Sequence, residues 1–155
     1  MSTGGNRISG NESENVAIAE TADTTPPTIT SVHVSYDSAI VSVTASETIR
    51  VVPNEAISND TVMVNFSLLV FANVSGGVGR RFNLLGATLT EVNGETVTFT
   101  VTEVQRIEGI KISATSGGDG VATLFDAGGG AFKDVGLNPS VERLNIAMSE
   151  DPDVT

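Results

Sequence analysis

From Thr28 to Met148 the chain repeatedly alternates apolar and polar residues with a period of two. Val32, Val34 and Tyr36 share one face of such a pattern, and Val41, Val43 and Ala45 share another. Val62, Val64, Phe66, Leu68 and Val70 make a longer run, with Asn65 and Ser67 opposite. In Thr96-Val-Thr-Phe-Thr-Val-Thr102 the apolar residues fall on one side and the threonines on the other. Ile110, Ile112 and Ala114 alternate with Lys111 and Ser113; Leu144, Ile146 and Met148 alternate with Arg143, Asn145 and Ala147. Alternation rich in β-branched residues marks antiparallel strands buried on one face. No window of comparable length carries a helical period, and the expected class is all-β. Val92-Asn-Gly-Glu95 lies between two strand patterns and predicts a hairpin, because Asn-Gly tolerates the positive φ of a tight turn. Six to eight half-buried strands imply two sheets packed face to face. Val64, Phe66, Val97, Phe99, Val101, Ile110, Ile112 and Leu144 are the core expected between them.

The flanks differ in kind. Residues 1–15 are polar and glycine-rich with no apolar period, which predicts a flexible arm. Val16-Ala-Ile-Ala-Glu20 alternates weakly and suits a short strand, with Val16 and Ile18 on one side. Asp23-Thr-Thr-Pro-Pro27 is a stiff, extended lead-in, since two prolines fix φ and remove two donors. The expected division is an N-terminal arm over 1–24, a folded unit over 25–149 and a tail or linker over 150–155.

The opening Thr25-Pro-Pro-Thr-Ile-Thr-Ser-Val32 and the strand Val41-Ser-Val-Thr-Ala-Ser-Glu47 resemble the immunoglobulin-like surface modules of bacteria and archaea. Ala131-Phe-Lys-Asp-Val-Gly-Leu-Asn138 loosely matches the Gly/Asp loop before the family's last strand. The resemblance covers roughly Thr25 to Met148 and implies an immunoglobulin-like antiparallel β-sandwich of the kind found in adhesins and S-layers. The stretch from Pro53 to Leu85 is longer than the family's usual loops. Asp151-Pro-Asp-Val-Thr155 is similar to the start of another such linker, as in a tandem array.

Composition narrows the chemistry. With 155 residues, no cysteine and a single histidine, the chain excludes disulfide scaffolds, thiol nucleophiles and multi-histidine metal sites. A net charge of −11 opposes binding to nucleic acid or to anionic membranes and favours cations. No apolar run is long enough for a membrane-spanning helix, and the N-terminus shows no signal peptide. The glycine runs 75–79, 117–120 and 126–130 lack the Lys-Ser/Thr ending of a phosphate loop. His33 falls opposite Val32 and Val34, on the solvent side of its strand, and no Gly-x-Ser-x-Gly elbow accompanies it. Calcium is the metal that the composition suits, since it takes oxygen ligands alone. The candidate ligands are Asp119, Asp126 and Asp134 in glycine-rich loops, with Asp23 and Glu47 nearer the linker.

A non-enzymatic extracellular or cell-surface structural module is therefore expected, a subunit of a filament, S-layer or adhesin stalk. It would self-associate head-to-tail, with Val16 and Ile18 as the donated strand. The alternative is a ligand-binding adhesin domain, disfavoured by the absence of tryptophan and the single tyrosine.

Overall fold

A computed structural model describes residues 16–50, 64–73 and 80–154. Residues 1–15, Val62 and the whole of the 75–79 glycine run, among the segments read above, lie outside the described residues. Eight strands form one mixed, curled sheet: β1 Ile29–Ser35, β2 Ile40–Ala45, β3 Leu69–Ala72, β4 Arg81–Asn83, β5 Thr88–Asn93, β6 Thr96–Thr100, β7 Leu124–Ala127 and β8 Arg143–Asp151. One helix, α1, spans Glu103–Lys111. The order across the sheet is β4-β3-β7-β8-β1-β2-β6-β5. All pairs are antiparallel except β1 with β8.

Two sheets were expected; hydrogen bonding instead runs continuously through β8. The N-terminal half of β8 pairs with β7 (Leu124↔Ala147, Phe125↔Ile146), and its C-terminal half pairs with β1 (Val32↔Met148 to Ser35↔Asp151). The curl is demonstrated by Phe66, which leads into β3 and packs edge-on against Phe99 of β6 with ring centroids 5.1 Å apart. Laid flat, five inter-strand steps would separate β3 from β6 by about 24 Å. The apolar faces of the two arms therefore meet in one core that includes Val34, Val41, Val43, Val97 and Phe99 from one arm and Leu69, Phe71 and Phe125 from the other.

Most of the alternation lands as the pattern predicts: Val32, Val34, Tyr36, Val41, Val43, Ala45, Val97, Phe99 and Val101 are all buried. The hairpin is present, but Asn93 pairs with Thr96, so its two-residue loop is Gly94–Glu95, with Gly94 supplying the positive φ of 63°.

Three departures have identifiable causes. Residues 103–111 are helical, so Ile110 does not belong to a strand. Thr102 accepts from the Gln105 N–H while the Gln105 side chain accepts from the Thr102 N–H, a reciprocal cap that nucleates the helix. The run around Val64–Val70 is broken by a 3-10 turn over Phe66–Leu68, where Asn65 accepts from the Ser67 N–H at 3.1 Å. The turn resets the phase, burying Leu69 and Phe71 rather than Leu68 and Val70. In β8, Asn145 adopts a left-handed φ of 57° and forms a bulge, so Leu144 is 50% exposed while Ile146 and Met148 point inward.

The helix also finishes one side of the sheet. Gln105 donates from its amide to the carbonyls of Asn83 (3.4 Å) and Leu85 (2.8 Å), and Glu108 pairs with Arg80 at 3.7 Å. The Gln105 side chain thus caps two carbonyls at the C-terminal end of β4. Gly109 of the helix is packed so closely that an added Cβ would stand 2.9 Å from the Tyr36 ring.

Truncating Phe99 to Ala is expected to cost about 3–5 kcal/mol, as for other large buried rings. Leu144→Ala should stay within about 0.5 kcal/mol, because its side chain lies outside the core. Denaturant melts of the two variants check the bulge: comparable losses would place Leu144 inside.

Candidate cation centre

The sheet topology collects three carboxylates where the lead-in segment meets the folded body. Past β2 the chain runs through Glu47 to Ile49, which bridges to Asp134, and the Arg50 N–H donates to the Lys133 carbonyl at 2.9 Å. That pairing sets Glu47 beside the 134–138 turn. Inside the turn both oxygens of Asp134 accept from Asn138, one from its backbone N–H (2.8 Å) and one from its side-chain amide (2.9 Å). The same amide donates to the Asp23 carbonyl at 3.0 Å, tying the lead-in to the turn. Asp23 in turn accepts the Thr25 N–H at 3.0 Å. Gly136 suits this approach, since a Cβ there would stand a tight 3.0 Å from the Asp23 Cβ.

Asp23, Glu47 and Asp134 consequently bring carboxylate oxygens within 4.8 Å of one another. Asp134 is buried, Glu47 half-buried and Asp23 exposed. Partial desolvation, followed by the charges of Asp23 and Asp134, raises the pKa of Glu47 above the ordinary glutamate value. Three close carboxylates with no imidazole or thiolate among them are a donor set for a hard cation. Calcium takes about 6–8 oxygen ligands at such sites, from bidentate carboxylates, backbone carbonyls and water. A divalent ion here would offset the repulsion and pin the lead-in to the body.

Of the three loop aspartates singled out in the sequence, only Asp134 joins this cluster. Asp126 is a buried residue of β7: it accepts the Asn145 N–H of the β8 bulge at 2.7 Å and pairs with Arg81 at 3.0 Å. Asp119 organises its own turn by accepting the Val121 N–H at 2.9 Å, and it also accepts from the Asn73 amide. Both carboxylates hold backbone in place.

His33 has more company than its strand position suggested. Its Nδ1 lies 2.7 Å from the Ser149 Oγ and its Nε2 lies 3.0 Å from Asp151 Oδ2. These residue types match a hydrolase triad, but all three stand on the open face of the parallel β1/β8 pair. His33 and Asp151 are 42% and 63% exposed, so water competes for each bond. Ser149 sits within a strand and not on the sharp turn that presents a nucleophile. The arrangement is suited to clasping β1 to β8.

No family model, curated protein or solved structure matches this chain. Its chemistry rests on the geometry alone.

Val16 and Ile18 lie outside any strand, 84% and 80% exposed. What the sequence lacked was the grouping of acids: Asp23, Glu47 and Asp134 were all visible as candidates, but their meeting depends on the Ile49–Asp134 bridge and the Asn138 clasp. The Asp134-Val-Gly-Leu-Asn138 run, with turn-forming Asp, Gly and Asn closely spaced, was the available signal.

Because the folded pKa of Glu47 is raised, its contribution to stability is greatest below the usual glutamate pKa. That contribution is lost as pH rises through the raised value. In chelator near neutral pH, Glu47→Gln should therefore raise the melting temperature. Calcium should stabilise the wild type more than this variant. Identical calcium responses of the two proteins would show that the cluster binds no metal.

Proposed function

We propose that the chain is an extracellular structural module, an immunoglobulin-like β-sandwich that serves as a link in a surface filament, layer or adhesin stalk. The observation that carries this reading is the parallel pairing of β1 with β8. Parallel first and last strands make the chain enter the body at one pole and leave it at the other, roughly 20 Å apart along β1. Both passages are held. At entry, the Val141 N–H donates to the Pro27 carbonyl at 3.0 Å and the Thr28 N–H to Ser46 Oγ at 3.0 Å. At exit, Arg106 pairs with Asp153 at 2.5 Å and donates to the Tyr36 carbonyl at 3.1 Å. Such a body passes tension from one end to the other through its sheet, which suits a link in series.

The strand order supports the finer assignment of fold. The arm β1-β2-β6-β5 corresponds to the A-B-E-D sheet of an immunoglobulin domain, and β4-β3-β7-β8 to its C′-C-F-G sheet. The disulfide and tryptophan of antibody domains are absent, since the chain has neither residue. No aromatic ring is left exposed for stacking against sugars: Tyr36 and four phenylalanines are buried, and Phe66 and Phe82 are partly buried. This weighs against a carbohydrate-binding adhesin domain. No helix among the described residues is long and apolar enough to cross a membrane.

The reading is checked by sedimentation and negative-stain microscopy of the full chain and of a variant lacking residues 1–22. The full chain should assemble head-to-tail, and the truncated one should remain folded and monomeric. Assemblies that persist without the arm would remove strand donation; a full chain that stays monomeric at every concentration would remove the assembly role. For the non-enzymatic assignment, a fluorophosphonate probe should leave Ser149 unlabelled. Labelling that disappears in His33→Ala would instead establish a hydrolase.

A further inference from the structure

A sheet that is not a closed barrel has two edges, and here they are finished differently. At the β4 edge the Gln105 side chain of α1 occupies the carbonyls of Asn83 and Leu85, so part of that edge already has its hydrogen-bond partner. At the other end of the sheet, β5 pairs with β6 on one side and ends the strand order on the other. Its first residues are Thr88, Leu89 and Thr90, with both threonines exposed and uncharged. Further along, the strand carries the irregularity between Leu89 and Glu91 and the charge of Glu91 itself, so the open stretch is its first three residues.

Apolar surface of the core is left partly exposed beside this edge. Leu89, Ala87 and Phe66 pack against the core but remain partly exposed, and Leu89 pairs with Phe99, the ring that Phe66 touches. An extra strand with apolar residues at alternate positions would extend the ladder and cover this rim. The chain carries such a segment: Val16-Ala-Ile-Ala-Glu20, with Val16 and Ile18 largely exposed and paired with no strand among the described residues.

We propose that the outer edge of β5, which pairs with no strand among the described residues, receives Val16–Glu20 from a second copy of this chain. The proposal rests on the assembly reading above and names its acceptor. Backbone hydrogen bonds along the edge would supply the binding, and Val16 and Ile18 would set the register by facing the Leu89 side. The arm lies on one part of the surface and the acceptor edge on another, so the contact is heterologous and propagates as a filament or closes as a ring.

The absence of cysteine makes the test direct. Ala17 of the donated segment would share the outer face with Thr88 and Thr90. Two single-cysteine chains, one Ala17→Cys and the other Thr88→Cys or Thr90→Cys, are mixed and oxidised at concentrations where the wild type assembles. A third mixture pairs Ala17→Cys with Asn83→Cys on β4. The β5 mixtures should give a disulfide-linked heterodimer and the β4 mixture should give none. With Ala17→Cys and Thr90→Cys in one chain, the product should be a ladder of oligomers. Cross-linking to β4 alone, or no cross-linking to β5 in protein whose assembly still requires the arm, overturns the acceptor assignment and leaves strand donation standing. A monomeric, internally linked double variant would show that the arm occupies its own β5 edge, which also overturns it. A chain that never assembles would remove the underlying reading as well.

Discussion

The architecture depends on β8 changing partners midway along its length. Over Arg143–Ala147 it belongs to the β4-β3-β7 arm; from Met148 it belongs to the β1-β2-β6-β5 arm. A strand that serves both arms lets a single ladder fold over on itself. The bulge at Asn145 lies in the half that pairs with β7, and the buried Asp126 carboxylate holds its N–H at 2.7 Å. Arg81 from β4 compensates that buried charge, so one ion pair connects the β4 edge of the sheet to the bulge in β8. A buried aspartate in mid-strand is costly unless its oxygens are occupied, and here donors from two different strands occupy them.

The mechanical character of the body follows from the same strand. Because β8 runs parallel to β1, the points where the chain enters and leaves are at opposite poles. The carboxylate cluster stands at the entry pole and the Arg106–Asp153 pair at the exit. Near the exit, Tyr36 is fully buried and donates to Glu150 at 3.0 Å; desolvation raises its pKa, so the phenol stays a neutral donor. Each pole thus has its own polar anchor, one an acid paired with Arg106 and the other a group of three close carboxylates. This asymmetry is why cation binding is expected at entry and not at exit.

Helix α1 explains why the two edges are unequal. It has little apolar face of its own to bury, with Val104 70% exposed and Gln105 and Gly109 as its buried residues. Its contribution is polar capping of the β4 edge and close packing of Gly109 on Tyr36 and Phe71. A helix held in this way carries almost no amphipathic signature, and for that reason it escaped the period analysis even though Thr102 and Gln105 spelled out its cap.

The sequence by itself determined the β-rich class, most of the strands, the hairpin near Gly94 and the inward faces of β1, β2 and β6. Those features follow from local alternation and turn chemistry, which act within a few residues. It also carried all the acids of the candidate centre, though not their association. The tertiary structure decided the rest. Leu144 was turned outward by a bulge that a partner carboxylate stabilises, and Leu69 and Phe71 were brought inward by the phase change at Asn65. Strand β7 was hidden from the pattern because Phe125, Asp126 and Ala127 are all buried, which abolishes alternation. Asp134 was separated from Asp126 and Asp119 and joined to Asp23 and Glu47 by pairings that span up to 115 residues. Period and propensity report the neighbourhood along the chain, whereas a metal site, a bulge or an open edge is defined by strands that meet only when the sheet closes over its core.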